Sequence, residues 1–106
     1  MVSFEDFKKI ELKTAKILEV TDHPNADKLL LLKVEVGETQ KQIVAGIKGH
    51  YTNEELIGKT VIIVDNLETA VIRGEESNGM MLAIKYDESL CLLTSDKPVN
   101  SGTKVS

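Results

Sequence analysis

The chain has 106 residues, 42% of them hydrophobic, with 13 basic against 17 acidic side chains and a formal net charge of −4. That length makes one domain, residues 1–106, and a chain of this size can bury roughly two-thirds of its unfolded surface without disulfide or metal staples. The acidic balance excludes a protein that works chiefly as a phosphate sponge, unless its lysines are gathered on one face.

Ser3 is placed to cap a short helix, with Asp6 three residues on in the manner of a capping box. Phe4, Phe7 and Ile10 fall on one side of it, and Lys8 and Lys9 suit its C-terminal end. This acidic, amphipathic opening lacks the charged-then-apolar order of a secretory signal. From Leu12 the period changes to that of a strand. Leu12, Thr14, Lys16, Leu18 and Val20 share one face and Ala15 and Ile17 the other, so two half-apolar faces predict a strongly curved strand.

His23-Pro24-Asn25-Ala26-Asp27 is a loop by its turn chemistry, and Leu29–Val36 is a second strand with Leu30, Leu32, Val34 and Val36 on one face. Gly37-Glu38-Thr39-Gln40 turns the chain into a third strand, Gln42–Ala45. Thr52 and Glu55 then form a capping box, and Gly58 stands where a short helix would end. The β-branched run Lys59–Asp65 is a strand, Asn66–Gly79 a polar loop, and Met80–Ile84 and Leu90–Leu93 two further strands joined by Tyr86–Ser89. Pro98 and Gly102 mark a tail with little regular structure. Short curved strands with a helix between the third and fourth are the order of an all-β, five-stranded Greek-key OB barrel with a C-terminal extension.

Catalytic and metal chemistry find no residues to carry them. His23 and Asp27 are four apart, but Pro24 and Asn25 bend the chain between them, and His50 is distant, so both histidines are expected as surface or loop residues. Gly74-Glu75-Glu76-Ser77-Asn78-Gly79 has the wrong spacing for a nucleophile elbow, and Gly46-Ile47-Lys48-Gly49 lacks the ending of a phosphate loop. Cys91, the one cysteine, sits between Leu90 and Leu92 without the electropositive setting of a reactive thiol, so it is expected to be structural. A lone cysteine and apolar runs far shorter than a bilayer predict a cytoplasmic protein that does not cross a membrane. No enzyme, cofactor or metal site is expected. Asn66 and Ser77 remain, neutral hydrogen-bonding groups at the two ends of the loop that suit phosphate or ribose as well as a turn.

Several segments resemble the tRNA-binding domain family found at the C-terminus of methionyl-tRNA synthetases and as free structure-specific tRNA-binding proteins. They are Phe4–Leu12, His23-Pro24-Asn25-Ala26-Asp27-Lys28-Leu29, Val44-Ala45-Gly46-Ile47, Tyr51–Lys59, Asn66-Leu67, and Gly74-x-x-Ser77-x-Gly79-Met80-x-Leu82-Ala83. The resemblance spans nearly the whole chain. It implies an OB barrel, a homodimer, and recognition of the outer corner of tRNA by shape, without catalysis or cofactor, in trans or beside an aminoacyl-tRNA synthetase. Carried over by position, the RNA-facing residues are Asn66, Ser77, Gly79 and Met80, with Lys33 and Arg73 as the nearest charges. Where the family continues Lys-Pro-x-Lys after Asn-Leu, this chain has Glu68-Thr69-Ala70-Val71, which removes two positive charges. An interaction, dimerisation or chaperone-like module with a weakened tRNA face is the alternative this departure suggests.

Overall fold

Strand β1 (Leu12–Asp22) carries the sheet, in a computed structural model that describes residues 1–106. One edge of β1 pairs with β4 (Thr60–Val64) from Leu12↔Val64 to Lys16↔Thr60. The other edge pairs with β2 (Leu30–Val36) from Lys16↔Glu35 to Asp22↔Leu30. Between Ile17 and Glu19 the register slips by one residue, leaving Leu18 without a partner. The extra residue exchanges the two faces of the strand: Ala15 and Ile17 are buried before it and Val20 after it. The mixed apolar faces seen in the sequence are therefore one core face that changes parity at a bulge.

A hairpin joins β2 to β3 (Thr39–Ala45), in register from Leu30↔Ala45 to Val36↔Thr39. Alternation on β2 is strict, with Leu30, Leu32, Val34 and Val36 all buried. A short helix α2 (Asn53–Leu56) follows, and Leu56 plugs the barrel with no exposed surface. Its capping box is formed as expected: Glu55 N–H donates to Thr52 Oγ1 at 3.1 Å, and Thr52 N–H to Glu55 Oε1 at 2.8 Å. Past the helix, Gly58 N–H donates to Ile17 O at 2.8 Å. The barrel continues through β7 (Met80–Met81), which pairs with β4, while Asn78 N–H donates to Gln42 O on β3 at 2.8 Å. The sheet order β3-β2-β1-β4-β7 curls about a core of Ile17, Leu32, Ile43, Leu56, Val61 and Ile63. This is the expected OB barrel.

Three segments differ from their sequence reading. The loop Asn66–Gly79 holds a hairpin of its own, β5 (Ala70–Ile72) against β6 (Glu75–Ser77). The expected strand Met80–Ile84 breaks at Leu82, beyond which β8 (Ala83–Tyr86) leaves the barrel and pairs with β9 (Ser89–Leu92). The tail adds β10 (Lys104–Val105) to β1 along the stretch that β2 does not reach, with Leu12↔Val105 and Lys13↔Lys104 in register. Thr14 N–H also donates to Thr103 O, and Gly102 N–H to Thr14 O. An edge that would otherwise present free backbone groups is covered.

Alternation along β9 turns Leu92 inward and leaves Cys91 exposed opposite Ile84, so the thiol is a surface group rather than a core one. The N-terminal helix α1 (Phe4–Phe7) is a single turn, capped by Ser3 Oγ accepting from Asp6 N–H, and it buries no residue.

Because Thr52 serves α2 through one hydroxyl, Thr52→Ala should lower stability by about 1 kcal/mol and Thr52→Ser by much less. Urea melts of the two variants check this; equal, negligible losses would place the helix start elsewhere.

Candidate nucleic-acid interface

In OB barrels the outer face of the second and third strands, with the loops at its edges, is the usual binding surface. Here that face carries a cross-strand row of Glu19, Lys33 and Gln42, each the register partner of the next. Lys33 Nζ lies 3.4 Å from Glu19 Oε2, and both side chains are about half exposed or more. Gln42 Nε2 donates to Glu76 O at 2.9 Å, which brings the β5–β6 hairpin to the end of the row.

The hairpin tip is Arg73-Gly74, and both residues have positive φ, 54° and 90°. Two such residues make a tight primed turn for which Asn-Gly is the common choice; an arginine is strained there. The strain is held by the loop after β1. His23 is 5% exposed, and its Nδ1 accepts from Asn25 N–H at 2.9 Å, so the ring is neutral and its Nε2–H donates to Ile72 O at 2.9 Å. Asn25 Nδ2 donates to Arg73 O at 3.1 Å. His23 lies in a loop as expected but not at the surface: it is a buried clasp between two loops. The Arg73 side chain leaves the clasp exposed, with no carboxylate within 4.0 Å.

Beneath the hairpin, Ser77 is 3% exposed. Its Oγ accepts from Val44 N–H at 3.0 Å and donates to Gly79 O at 3.1 Å. Gly79 has φ 141°, and a Cβ there would stand 3.0 Å from Val64 O and 3.4 Å from Ile43 Cδ1, so only glycine fits. Asn66, two residues past Val64, ties down the segment before β1: Oδ1 accepts from Glu11 N–H at 2.9 Å and Nδ2 donates to Lys9 O at 2.7 Å. Of the two neutral groups picked out in the sequence, buried Ser77 thus serves the turn, while Asn66 stays exposed and uses one amide hydrogen and one lone pair to tie down Lys9 and Glu11.

Met80, 49% exposed, opens instead onto an apolar hollow of about 230 Å³ with Val44, Ile47 and Leu92. Of the six residues singled out in the sequence, Lys33 stands in the cross-strand row, Arg73 at the tip of the hairpin that meets the end of that row through Gln42, and Ser77, Gly79 and Met80 in or just after the same hairpin. Gln42 belongs to the exposed row, and His23 and Asn25 support the hairpin from behind it; the signal for these two was the His-Pro-Asn motif, whose polar atoms needed partners.

The charged centre of this end of the barrel is Asp65, 16% exposed, between Lys41 Nζ at 2.7 Å and Lys13 Nζ at 2.9 Å. Burial by itself raises the Asp65 carboxyl, but hydrogen bonds and charge from the two lysines outweigh it and hold the group below the ordinary carboxylate range. Asp65 in turn raises Lys13 above its usual value, through the hydrogen bond it accepts first and its charge second.

The family described as "Putative tRNA binding domain" matches residues 12–104. The chain belongs to that family. The methionine–tRNA ligase of Pyrococcus horikoshii is 53% identical over 104 residues, 98% of this chain and 14% of that protein. The chain thus spans about 14% of the length of the curated relatives it matches. Two solved structures superpose over its full length. One is a MetRS-related protein from Pyrococcus horikoshii (TM-score 0.91, 28% identity, 98% of that chain), the other a CsaA chaperone protein from Picrophilus torridus (TM-score 0.93, 31% identity, 100% of that chain). The clasp residues His23, Asn25 and Arg73 lie within the matched stretch.

Asp65 gives a pH signature. A carboxyl depressed in the folded state adds stability that is present above its unfolded value of about 3.9 and is lost as pH falls through the folded value. The thermal midpoint of the protein should therefore fall more steeply below about pH 4 than that of Asp65→Asn; parallel acid profiles would show that the Lys13–Asp65–Lys41 bridge contributes nothing.

Proposed function

We propose that this chain is a non-catalytic module that binds tRNA by its shape, as a homodimer in the cytoplasm, either free or as an appendix of a methionyl-tRNA synthetase. The observation that carries the proposal is the clasp: His23 and Asn25 hold a strained turn whose one exposed product is the side chain of Arg73, the only arginine in the chain. Strain kept at one point by hydrogen bonds from a neighbouring loop suits a group that must be aimed. An arginine aimed from a rigid loop, beside Lys33 and exposed amides, suits the sugar-phosphate backbone of a folded RNA. Ser77, Gly79 and Asn66 act in this reading by shaping the loop, and Lys33, Arg73 and Met80 by contact.

Glu68 and Val71 are exposed in the same loop, where the family's lysines would stand. With few cations on the face, affinity is modest and strongly salt-dependent. If three or four phosphates are contacted, binding of bulk tRNA should weaken roughly a hundredfold between about 50 and 200 mM salt. Arg73→Glu should nearly abolish binding, and Glu68→Lys with Val71→Lys should strengthen it by roughly tenfold or more. Filter binding with a linear single strand as competitor tests this. No binding at 50 mM salt, even by the double-lysine variant, would leave the alternative of a protein-interaction module, which the likeness to a CsaA chaperone protein favours.

The dimer rests on a separate surface. Phe4 (71% exposed), Phe7 (44%) and Ile10 (46%) join Val105 around a depression of about 200 Å³, on a helix too short to stand by itself. Light scattering at micromolar concentration should give twice the chain mass, and Phe4→Glu with Phe7→Glu should halve it; a single chain mass for the unaltered protein rules the dimer out.

A further inference from the structure

The barrel stays open along one seam. β3 and β7 end the sheet order on either side, and no ladder joins them. The seam is laced at one end, where Asn78 N–H donates to Gln42 O and Val44 N–H to Ser77 Oγ. Gln42 and Val44 therefore turn their backbone groups away from β2, and the C=O of Val44 leaves on the same side as its N–H. On the other bank, Leu82 N–H donates to Ile62 O on β4 at 2.9 Å, so its neighbour Met81 turns both its backbone groups away from β4. No hydrogen bond crosses the gap from Met81 to Val44, and Gly46 N–H makes none at all.

The apolar hollow of about 230 Å³ lies at this open end, and its lining includes Val44, Gly46, Met80, Met81, Ala83 and Leu92. Three properties select an occupant. The hollow is smaller than the roughly 300–1,000 Å³ of sites that hold a drug-sized molecule, so it admits one ring or one side chain. An added strand would need about 4.8 Å on each side, and the Asn78–Gln42 bond already closes one end to it. The lining holds two methionines and no aromatic side chain, and methionine sulfur favours contact with an aromatic ring. A flat heteroaromatic ring meets all three conditions, with apolar faces for the walls and rim atoms for the unpaired backbone groups.

The hollow adjoins the RNA-facing surface. Val44 is bonded to Ser77 at the base of the Arg73 hairpin, and a Cβ at Gly46 would stand 3.6 Å from Leu29 in the loop that carries the clasp. It shares no residue with the depression around Phe4, Phe7 and Val105, so the surface assigned to the dimer is a separate one. We propose that the β3–β7 hollow receives one unstacked base of the bound RNA, with Met80 and Met81 against the ring and the backbone groups of Val44, Gly46 and Met81 toward its rim. RNA as the source rests on the function proposed above; the fit to a nucleobase rests on the seam alone. Backbone donors and acceptors together suit any base, so a domain that reads shape gains a base contact without choosing a sequence.

The test uses protein carrying ¹³C at the methionine methyls, with Met1, outside the hollow, as the reference. Bulk tRNA is added at about 50 mM salt. Nucleoside 5′-monophosphates are added separately at constant ionic strength, with ribose 5-phosphate as the control. The Met80 and Met81 methyls should move upfield in the ring current of the base, with tRNA and with nucleotides but not with ribose 5-phosphate. Ala83→Leu, which adds bulk to the lining, should remove the shifts and weaken tRNA binding roughly tenfold at an unchanged salt slope, since a base contact releases no counterions. If tRNA binds without moving either methyl, the base site is overturned and the proposed function stands. If tRNA does not bind while nucleotides move both methyls, the proposed function fails and the nucleobase site stands. Methyls that stay still with every nucleic-acid probe overturn the site, and shifts produced only by a leucine-rich peptide assign the hollow to a protein partner instead.

Discussion

One unpaired residue, Leu18, lets β1 serve three neighbours at once. A regular strand of 11 residues would present one face to the core throughout; the slip between Ile17 and Glu19 bends it and hands the core face from Ile17 to Val20. Because β1 bends there, β4 can run along its first half and β2 along its second, and the sheet curls far enough for Asn78, at the start of β7, to reach β3. The bend also leaves residues 12–14 without β2, and the C-terminal segment fills that place through β10. Closure of the barrel and the place taken by β10 follow from the same bulge.

The barrel in turn decides which polar groups are free. Asn66, Ser77 and His23 look like recognition residues because each carries hydrogen-bonding atoms in a loop. In the folded chain each bonds backbone groups of another segment, and for buried Ser77 and His23 the alternative is an unpaired polar group, which costs about 1–3 kcal/mol. The exposed groups, Arg73, Lys33 and Gln42, are held in place by this inner layer. Under the proposed function, recognition is divided between residues that aim and residues that touch.

Periodicity made β2, the β2–β3 hairpin and the capping box of α2 legible, because in each the signal is local: strict alternation, a glycine turn, and two side chains three residues apart. Pairings between distant parts of the chain were not legible. β10 is two residues long, and its partner on β1 lies some ninety residues earlier, so no window of sequence contains both. The β5–β6 hairpin was hidden by its turn, where arginine stands in place of the usual asparagine, and by Glu75 and Glu76, which are poor strand formers. Of the candidate site, the residues were found through a family resemblance, but not their roles, since which atom of Asn66 or Ser77 is already bonded depends on partners far away in sequence.

The central claim is that a clasped loop presents Arg73 to RNA, and hydrogen–deuterium exchange with and without tRNA tests it most directly. The account predicts slower exchange in the peptides covering residues 23–29 and 69–76 when tRNA is added at low salt, with α2 unchanged. Protection confined to α2 and the β8–β9 hairpin, with residues 69–76 exchanging as in the free protein, would contradict it.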